Sequence, residues 1–379
     1  MSERSNRTLL PASRSARAAT SPRVLLLITG NQRRGAESSA CVLADELDRR
    51  GMSARVLALA PSDVPNALPV ETLGPTPLAA ATLWNLRREI RSADVVLACG
   101  SRTLPASVLA GLGTGRPVVY QNIGDPLFWA GTLGRRLRVR ALLRQTAAVG
   151  ALTEQSASNL ETHFGVRPDR IRVIRNFRSA STFRPATPAE KASARSALGL
   201  PNEGATTVAI AGALSPEKRV DVAISAIAAM APGTRLVIAG DGPLRAQLER
   251  QATAQAPGRV SFLGQLTDLA ELFRAVDAVT LTSDSEGVPG VLIEAGLSGL
   301  PVVATDVGYV RDIVLPGRTG EVVPTGDARA VAQALKTVLA DSAALGALAR
   351  RHCVERFDVA TVSDSWAALL RAVVGVKET

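Results

Sequence analysis

Twice along this chain, short apolar runs alternate with glycine-punctuated loops and helix-patterned stretches, and that alternation admits few architectures. Arg23–Thr29 is an apolar run ending at Gly30; the loop Asn31–Ala36 follows, then a helical stretch over Glu37–Arg50 stopped by Gly51. Strands are expected again at 54–60, 94–99, 116–120 and 147–152, with a helix over 154–163. Runs this short and this continuously apolar suit strands covered on both faces, and their alternation with helices gives a parallel sheet.

From Arg178 to Pro201 the pattern weakens into Ser, Thr, Ala and three prolines, a linker with room for one short helix. It then restarts. Strands are expected at 206–212, 234–239, 260–263, 278–282 and 301–304, with helices at 220–230 and 360–373. Another helix runs to Gln255, with Pro243 at its first position. The chain therefore divides into a leader at 1–21, a first domain at 22–184 and a second at 185–360. Both are doubly wound, and a ligand is expected in the cleft between them, outside the carboxyl ends of the strands.

Charge and rare residues narrow the chemistry. Residues 1–185 hold 26 arginines and no lysine against 13 Asp and Glu, a balance of +13; since the whole chain carries +10, the remainder carries −3. Such a field suits an anionic partner, although an Arg- and Ala-rich composition accounts for it equally well. Cys41, Cys99 and Cys353 are widely spaced, and the two histidines, His163 and His352, have no neighbouring ligands. A metal site or a histidine-based triad is not expected, and the thiols read as free in a reducing compartment. The Arg- and Ser-rich leader has no apolar core, so it reads as a disordered tail rather than a secretory signal. No apolar run approaches the roughly 20 residues of a membrane helix.

The segment Ser283–Ala295 carries the most specific pattern. It leaves a strand, passes a Gly/Pro loop and enters a helix, with Glu286 on the loop and Glu294 eight positions later. Two carboxylates there can face one cleft and accept from vicinal hydroxyls, while loop N–H groups and the helix start favour an anion. A solvated Glu286 and a helix-dipole role for Glu294 remain the plain alternative.

This segment resembles the Glu-x7-Glu signature of the family-4 retaining glycosyltransferases. Their GT-B fold sets two Rossmann-like β/α/β domains facing each other across a cleft. Gly35–Glu37, Val173–Asn176, Gly212–Lys218, Ile238–Pro243, Val260–Gly264 and Gly299–Thr305 match the same family in order, over nearly the whole chain after the leader. The resemblance implies transfer of a hexose-type sugar from a nucleotide diphosphate donor, with no metal and no cofactor beyond that donor. It implies that Glu294 holds the ribose and that Glu286, Gly287 and Val288 hold the sugar. Lys218 neutralises the diphosphate, and the base lies near Leu263–Leu266. Gly35 reaches the phosphate or acceptor from the first domain, and the last helix (361–379) packs back on that domain.

Several positions depart from the family pattern. Ala213 stands where a diphosphate-binding arginine is usual, and Arg219 is the neighbouring cation that could compensate. Arg34 replaces the first glycine of the Gly-Gly-Ala-Glu loop. A histidine usual after the strand ending at Tyr120 is missing, leaving Asn122 and Asp125 as the polar groups that could touch substrate. The stretch Leu127–Arg140 mixes Trp, Phe and Leu with arginines. It reads either as a helix packed on the sheet or as a surface that docks on anionic membrane, which would put a cytoplasmic protein at the inner face.

Other functions fit less well. No Gly-x-Gly-x-x-Gly follows a strand, as a dehydrogenase requires. Aromatic residues are only 3%, too few for base-stacking platforms, so no nucleic-acid partner is expected. Two readings of the same fold stay open: a catalytically degenerate, acceptor-binding or partner subunit, and a sugar-nucleotide epimerase.

Overall fold

The computed structural model describes residues 21–32, 35–62, 67–124, 127, 131–202, 204–266 and 268–375. The first domain runs β1 (Arg23–Gly30), α1 (Gly35–Arg49), β2 (Ser53–Ala60), α2 (Ala80–Ser92), β3 (Val95–Cys99), α3 (Leu104–Gly111), β4 (Val118–Gln121), α4 (Leu133–Arg144), β5 (Ala148–Ala151), α5 (Glu154–Phe164) and β6 (Ile171–Val173). The second opens with α6 (Pro188–Ala197), β7 (Thr206–Ala211), α7 (Val220–Ala228), β8 (Thr234–Ala239), α8 (Arg245–Gln255), β9 (Val260–Gly264), α9 (Leu269–Ala275) and β10 (Ala278–Leu281). It continues through α10 (Gly290–Leu297), β11 (Val302–Thr305), α11 (Val310–Ile313), β12 (Gly320–Val323), α12 (Ala328–Ala340) and α13 (Ser342–Phe357), and α14 (Val359–Val374) follows.

Each domain holds one six-stranded parallel sheet, ordered β2-β1-β3-β4-β5-β6 and β12-β11-β10-β7-β8-β9. This is the pair of Rossmann-like domains that the alternation of runs predicts. In each sheet the order reverses beside the first strand, between β1 and β3 and between β7 and β10. Chain leaving those strands diverges to opposite faces and opens a crevice at their carboxyl ends.

The central strands are covered on both sides. Leu26, Ile28 and Leu97 pack under α1 with Leu43 and Leu47, whereas Leu27, Val96 and Tyr120 pack under α2, α3, α4 and α5. The second sheet is enclosed likewise by two clusters, one around Leu292, Ile293 and Phe273, the other around Ile224, Ile227 and Leu335. Helix α14 packs on the first domain, not the second. Trp366, fully buried, and Leu370 join the cluster beneath α1, and Arg50, just after α1, pairs with Asp364 at 2.7 Å. The chain thus crosses between domains twice, and the crossings are paired: the Arg178 N–H donates to the Phe357 carbonyl and the Val359 N–H to the Arg178 carbonyl, both at 2.9 Å.

Some local features differ from the sequence expectation. Strands β6 and β12 complete an edge of each sheet. Pro243 lies in a turn, and α8 begins at Arg245. The cause is tertiary: the Leu244 N–H donates to the Leu214 carbonyl and the Leu214 N–H to the Asp241 carbonyl, both at 3.0 Å, so 241–244 is held as a turn against the neighbouring loop.

Candidate functional site

The order reversal in the second domain sets the loops after β7 and β10 side by side, with Gly35 and Gly124 of the first domain opposite their rim. On the second-domain rim, the loop after β7 and the loop after β10 are stitched together. The Asp284 N–H donates to the Glu217 carbonyl at 2.8 Å, and the Thr282 hydroxyl to the Arg219 carbonyl, also at 2.8 Å. That second bond supports a strained residue. Arg219, at φ 47°, is the only non-glycine with positive φ among the described residues. The turn sets neighbouring cations on separate partners: Lys218 Nζ reaches Glu286 Oε1 at 2.7 Å, while Arg219 pairs with Asp221 at 3.1 Å and Asp284 at 3.3 Å. Ser283 Oγ donates to the same Glu286 oxygen at 2.7 Å, which fixes the carboxylate against the lysine.

Glu294 is the fifth residue of α10 and only 8% exposed. Burial pushes its carboxyl above the usual range, and the Arg178 guanidinium, donating through Nε to Oε1 at 2.5 Å, opposes that shift. Both side chains line a cavity of ≈ 240 Å³ with Gly35 and Ser39 of the first domain and Asp268 of the second. A second cavity of ≈ 310 Å³ lies against Thr153, Glu154, Arg175, Asn176, Val288 and Tyr309.

The expected site residues fall into three groups. Glu286, Lys218 and Glu294 share the second-domain rim, and Gly35, the first residue of α1, faces Glu294 across the cavity. Gly287 holds the Tyr309 N–H at 3.1 Å, and a Cβ built on it would stand 3.8 Å from Gly124 of the first domain, so the gap there is narrow. Val288 accepts from Asn176 Nδ2 at 3.4 Å, and Leu266 packs on the second-domain core.

The others do not converge. Arg219 is spent on its two aspartates. Asn122 is fully buried: its Nδ2 donates to the Gly124 carbonyl at 3.0 Å and to Ser156 Oγ at 2.9 Å, and its Oδ1 accepts from Tyr120 at 3.3 Å. An amide committed in this way shapes the 122–124 loop and has nothing left for a substrate. Asp125, Arg34, Phe128 and Trp129 lie outside the described residues.

Arg178 is the site residue that sequence reasoning misses. The available signal is its place two residues after Asn176, where the strand pattern of the first domain stops. Among the described residues, no three His, Cys, Asp or Glu side chains are grouped to hold a metal ion, and no single helix is long and apolar enough to cross a membrane.

The chain has relatives among known proteins. Residues 33–180 match the model described as Glycosyltransferase Family 4, and residues 205–341 match the model described as Glycosyl transferases group 1. The D-inositol 3-phosphate glycosyltransferase of Mycobacterium marinum is 34% identical over 236 residues, 59% of this chain and 49% of that protein. The like-named protein of Mycobacterium tuberculosis (strain F11) is 37% identical over 183 residues, 45% and 36% of the two chains. This chain therefore spans half or less of the curated relatives it matches. Among solved structures, HepE of Anabaena in complex with UDP-glucose aligns with a TM-score of 0.79 at 24% identity, over 93% of this chain and 100% of that one. Sucrose-phosphate synthase from Thermosynechococcus elongatus aligns at 0.76 and 19% identity, over 94% and 100%.

Proposed function

Because this chain belongs to the family-4-type glycosyltransferases of the GT-B fold, we propose that it moves a hexose-type sugar from a nucleoside diphosphate to an anionic acceptor. In this reading the reaction proceeds with retention and without a metal ion. The observation that carries it is the meeting of Lys218, Glu286 and Glu294 on one rim, opposite Gly35.

The donor lies along that rim. Glu294 accepts from the ribose hydroxyls, and the sugar sits by Glu286 with the backbone of Gly287 and Val288. Lys218 turns from Glu286 to the diphosphate, a charge-assisted contact of about 1.5–3 kcal/mol. The new bond from acceptor oxygen to anomeric carbon forms on the face from which the phosphate oxygen departs. The acceptor's proton passes to that departing oxygen, so no separate base is required. Positive charge held at the leaving group does the work a metal would do elsewhere.

Two observations support the substrate classes. HepE was solved with UDP-glucose, and the mycobacterial relatives are named for D-inositol 3-phosphate, a phosphorylated polyol. The first domain's arginines suit such an acceptor, whether free or lipid-linked. The exposed large apolar side chains of the described residues all lie on or beside α2, α3 and α4: Leu78, Trp84, Leu109, Leu112, Leu133 and Leu137. Exposed Arg88, Arg91, Arg135 and Arg138 accompany them, which fits docking of a cytoplasmic protein on an anionic inner membrane face.

The deciding experiment is thermal stabilisation by UDP, GDP, ADP and their sugar conjugates in EDTA. A ligand at 100 times its dissociation constant adds about 2.7 kcal/mol. One nucleotide is expected to stabilise the protein, with the effect lost in Glu294→Ala and Lys218→Ala. No stabilisation by any of them would overturn the transferase reading in favour of a degenerate binding subunit.

A further inference from the structure

We propose that Arg178 is a second cation of the donor site, holding Glu294 with one edge of its guanidinium and an oxygen of the donor diphosphate with the other. This rests on the nucleotide-sugar reading above and adds a residue to it.

The guanidinium is only partly used. Nε is spent on Glu294 Oε1 at 2.5 Å. Nη1 donates to the Phe177 carbonyl at 2.7 Å, to Ser39 Oγ at 3.2 Å and to Asn176 Oδ1 at 3.3 Å. Nη2 makes no hydrogen bond to any described residue, although the side chain is only 15% exposed. Nη2 is not among the buried atoms left without a partner, so it is reachable from the cavity that Arg178 lines, and its N–H pair is available to an acceptor entering there.

Nη2 can sit at this point because two glycines stand beside it. A Cβ on Gly290, the first residue of α10, would stand 1.9 Å from Nη2, and one on Gly35, the first residue of α1, would stand 3.3 Å away. Helix starts favour anions and disfavour cations. A guanidinium between two of them is favourable only with negative charge beside it, and Glu294 supplies one such charge. An anionic group reaching Nη2 would meet the guanidinium and both helix starts together. Arginine suits that task because its planar fork can serve a carboxylate and a phosphate oxygen at once.

The other rim cations leave this role open. Lys218 supplies one cation to the diphosphate in the reading above, and Arg219, engaged by Asp221 and Asp284, does not supply a second. Arg178 differs also in touching both domains, Ser39 of the first and Glu294 of the second, from a backbone anchored at the paired crossing. A diphosphate on Nη2 would thus draw the two walls of the cleft to one residue.

The test is calorimetric titration of the full chain with UDP, GDP and ADP and with uridine, guanosine and adenosine, comparing wild type with Arg178→Gln. The glutamine variant is expected to bind the preferred diphosphate ~10- to 100-fold more weakly, the loss of one charge-assisted contact, while its nucleoside changes by less than about threefold. Arg178→Lys keeps the charge but cannot span both partners. It is expected to fall between the two, and it carries the comparison should the glutamine variant unfold. Equal weakening of nucleoside and diphosphate would overturn the proposal, since Arg178 would then act through Glu294 or the fold alone. No weakening would overturn it as well. A wild-type protein that binds none of the six compounds would instead overturn the nucleotide-sugar reading, and this inference with it.

Discussion

Glu294 sits under opposing influences, and they have a sign that can be read in solution. Burial raises its folded-state pKa above the ordinary 4.5 despite Arg178. An acid raised in this way binds protons more readily folded than unfolded. Stability is therefore greatest below pH 4.5 and declines as pH rises toward the folded value. The melting temperature of the wild type relative to Glu294→Gln is expected to fall as pH is raised from 4.5 toward neutrality. Asp94 and Asp306, whose arginine partners hold them below the usual carboxylate range, act the other way at lower pH, and both proteins share them. A difference that stays constant with pH would show that Arg178 cancels the cost of burial entirely. The two glutamates of this rim are legible in the sequence because eight positions across a loop and a helix bring both to one cleft. Arg178 is not, since it stands 116 positions from Glu294 and only the fold joins them. Asn122 misleads for the opposite reason: a polar residue just after a strand looks available, and the partners that use it up are supplied by tertiary structure.

Helix α14 is the element whose removal would be felt furthest from its place in the sequence. Its Trp366 fills the first domain so closely that a Cβ on Gly150 of β5 would stand 2.4 Å from the indole Cη2. Gly150→Ala is expected to cost about 1–3 kcal/mol through overpacking. Trp366→Leu costs a similar or larger amount through the cavity it leaves. Together the new methyl enters the vacated space, so urea unfolding should show the double variant losing at least ~1 kcal/mol less than the sum. Strict additivity would mean that the ring and β5 do not compete for this space. The elements easiest to read from sequence are strands with long apolar runs, such as β1 and β8. Strands β6 (IRV) and β12 (GEVV) escape because each is a short edge strand with a polar residue inside. Helix α13 is hard to see for another reason: its buried stripe is Gly346, Ala349, Cys353 and Phe357, mostly small side chains that leave little apolar signal.

The whole molecule is polar in the electrical sense, a basic half facing a mildly acidic one across the cleft. If the apolar and arginine-bearing face of α2, α3 and α4 meets lipid, binding should need both terms. In a flotation assay the protein is expected to bind vesicles containing phosphatidylglycerol at low salt. Binding should weaken several-fold at about 0.5 M salt, where screening is within a few ångströms. Replacing Trp84 and Leu137 by serine should weaken it further. Equal partition onto neutral vesicles would count against this. The paired crossing at Arg178 and Val359 has a consequence for how such a chain is made. Domains generally complete their folding in the order in which a ribosome releases them. Here every core element of the second domain precedes α14 in the chain. The first, although synthesised earlier, has one face of its sheet only partly covered, by α1, until α14 is in place. The first domain is thus the last to be finished, and a message cut short before codon 359 would yield a second domain with all its own elements joined to a first domain that lacks its last helix.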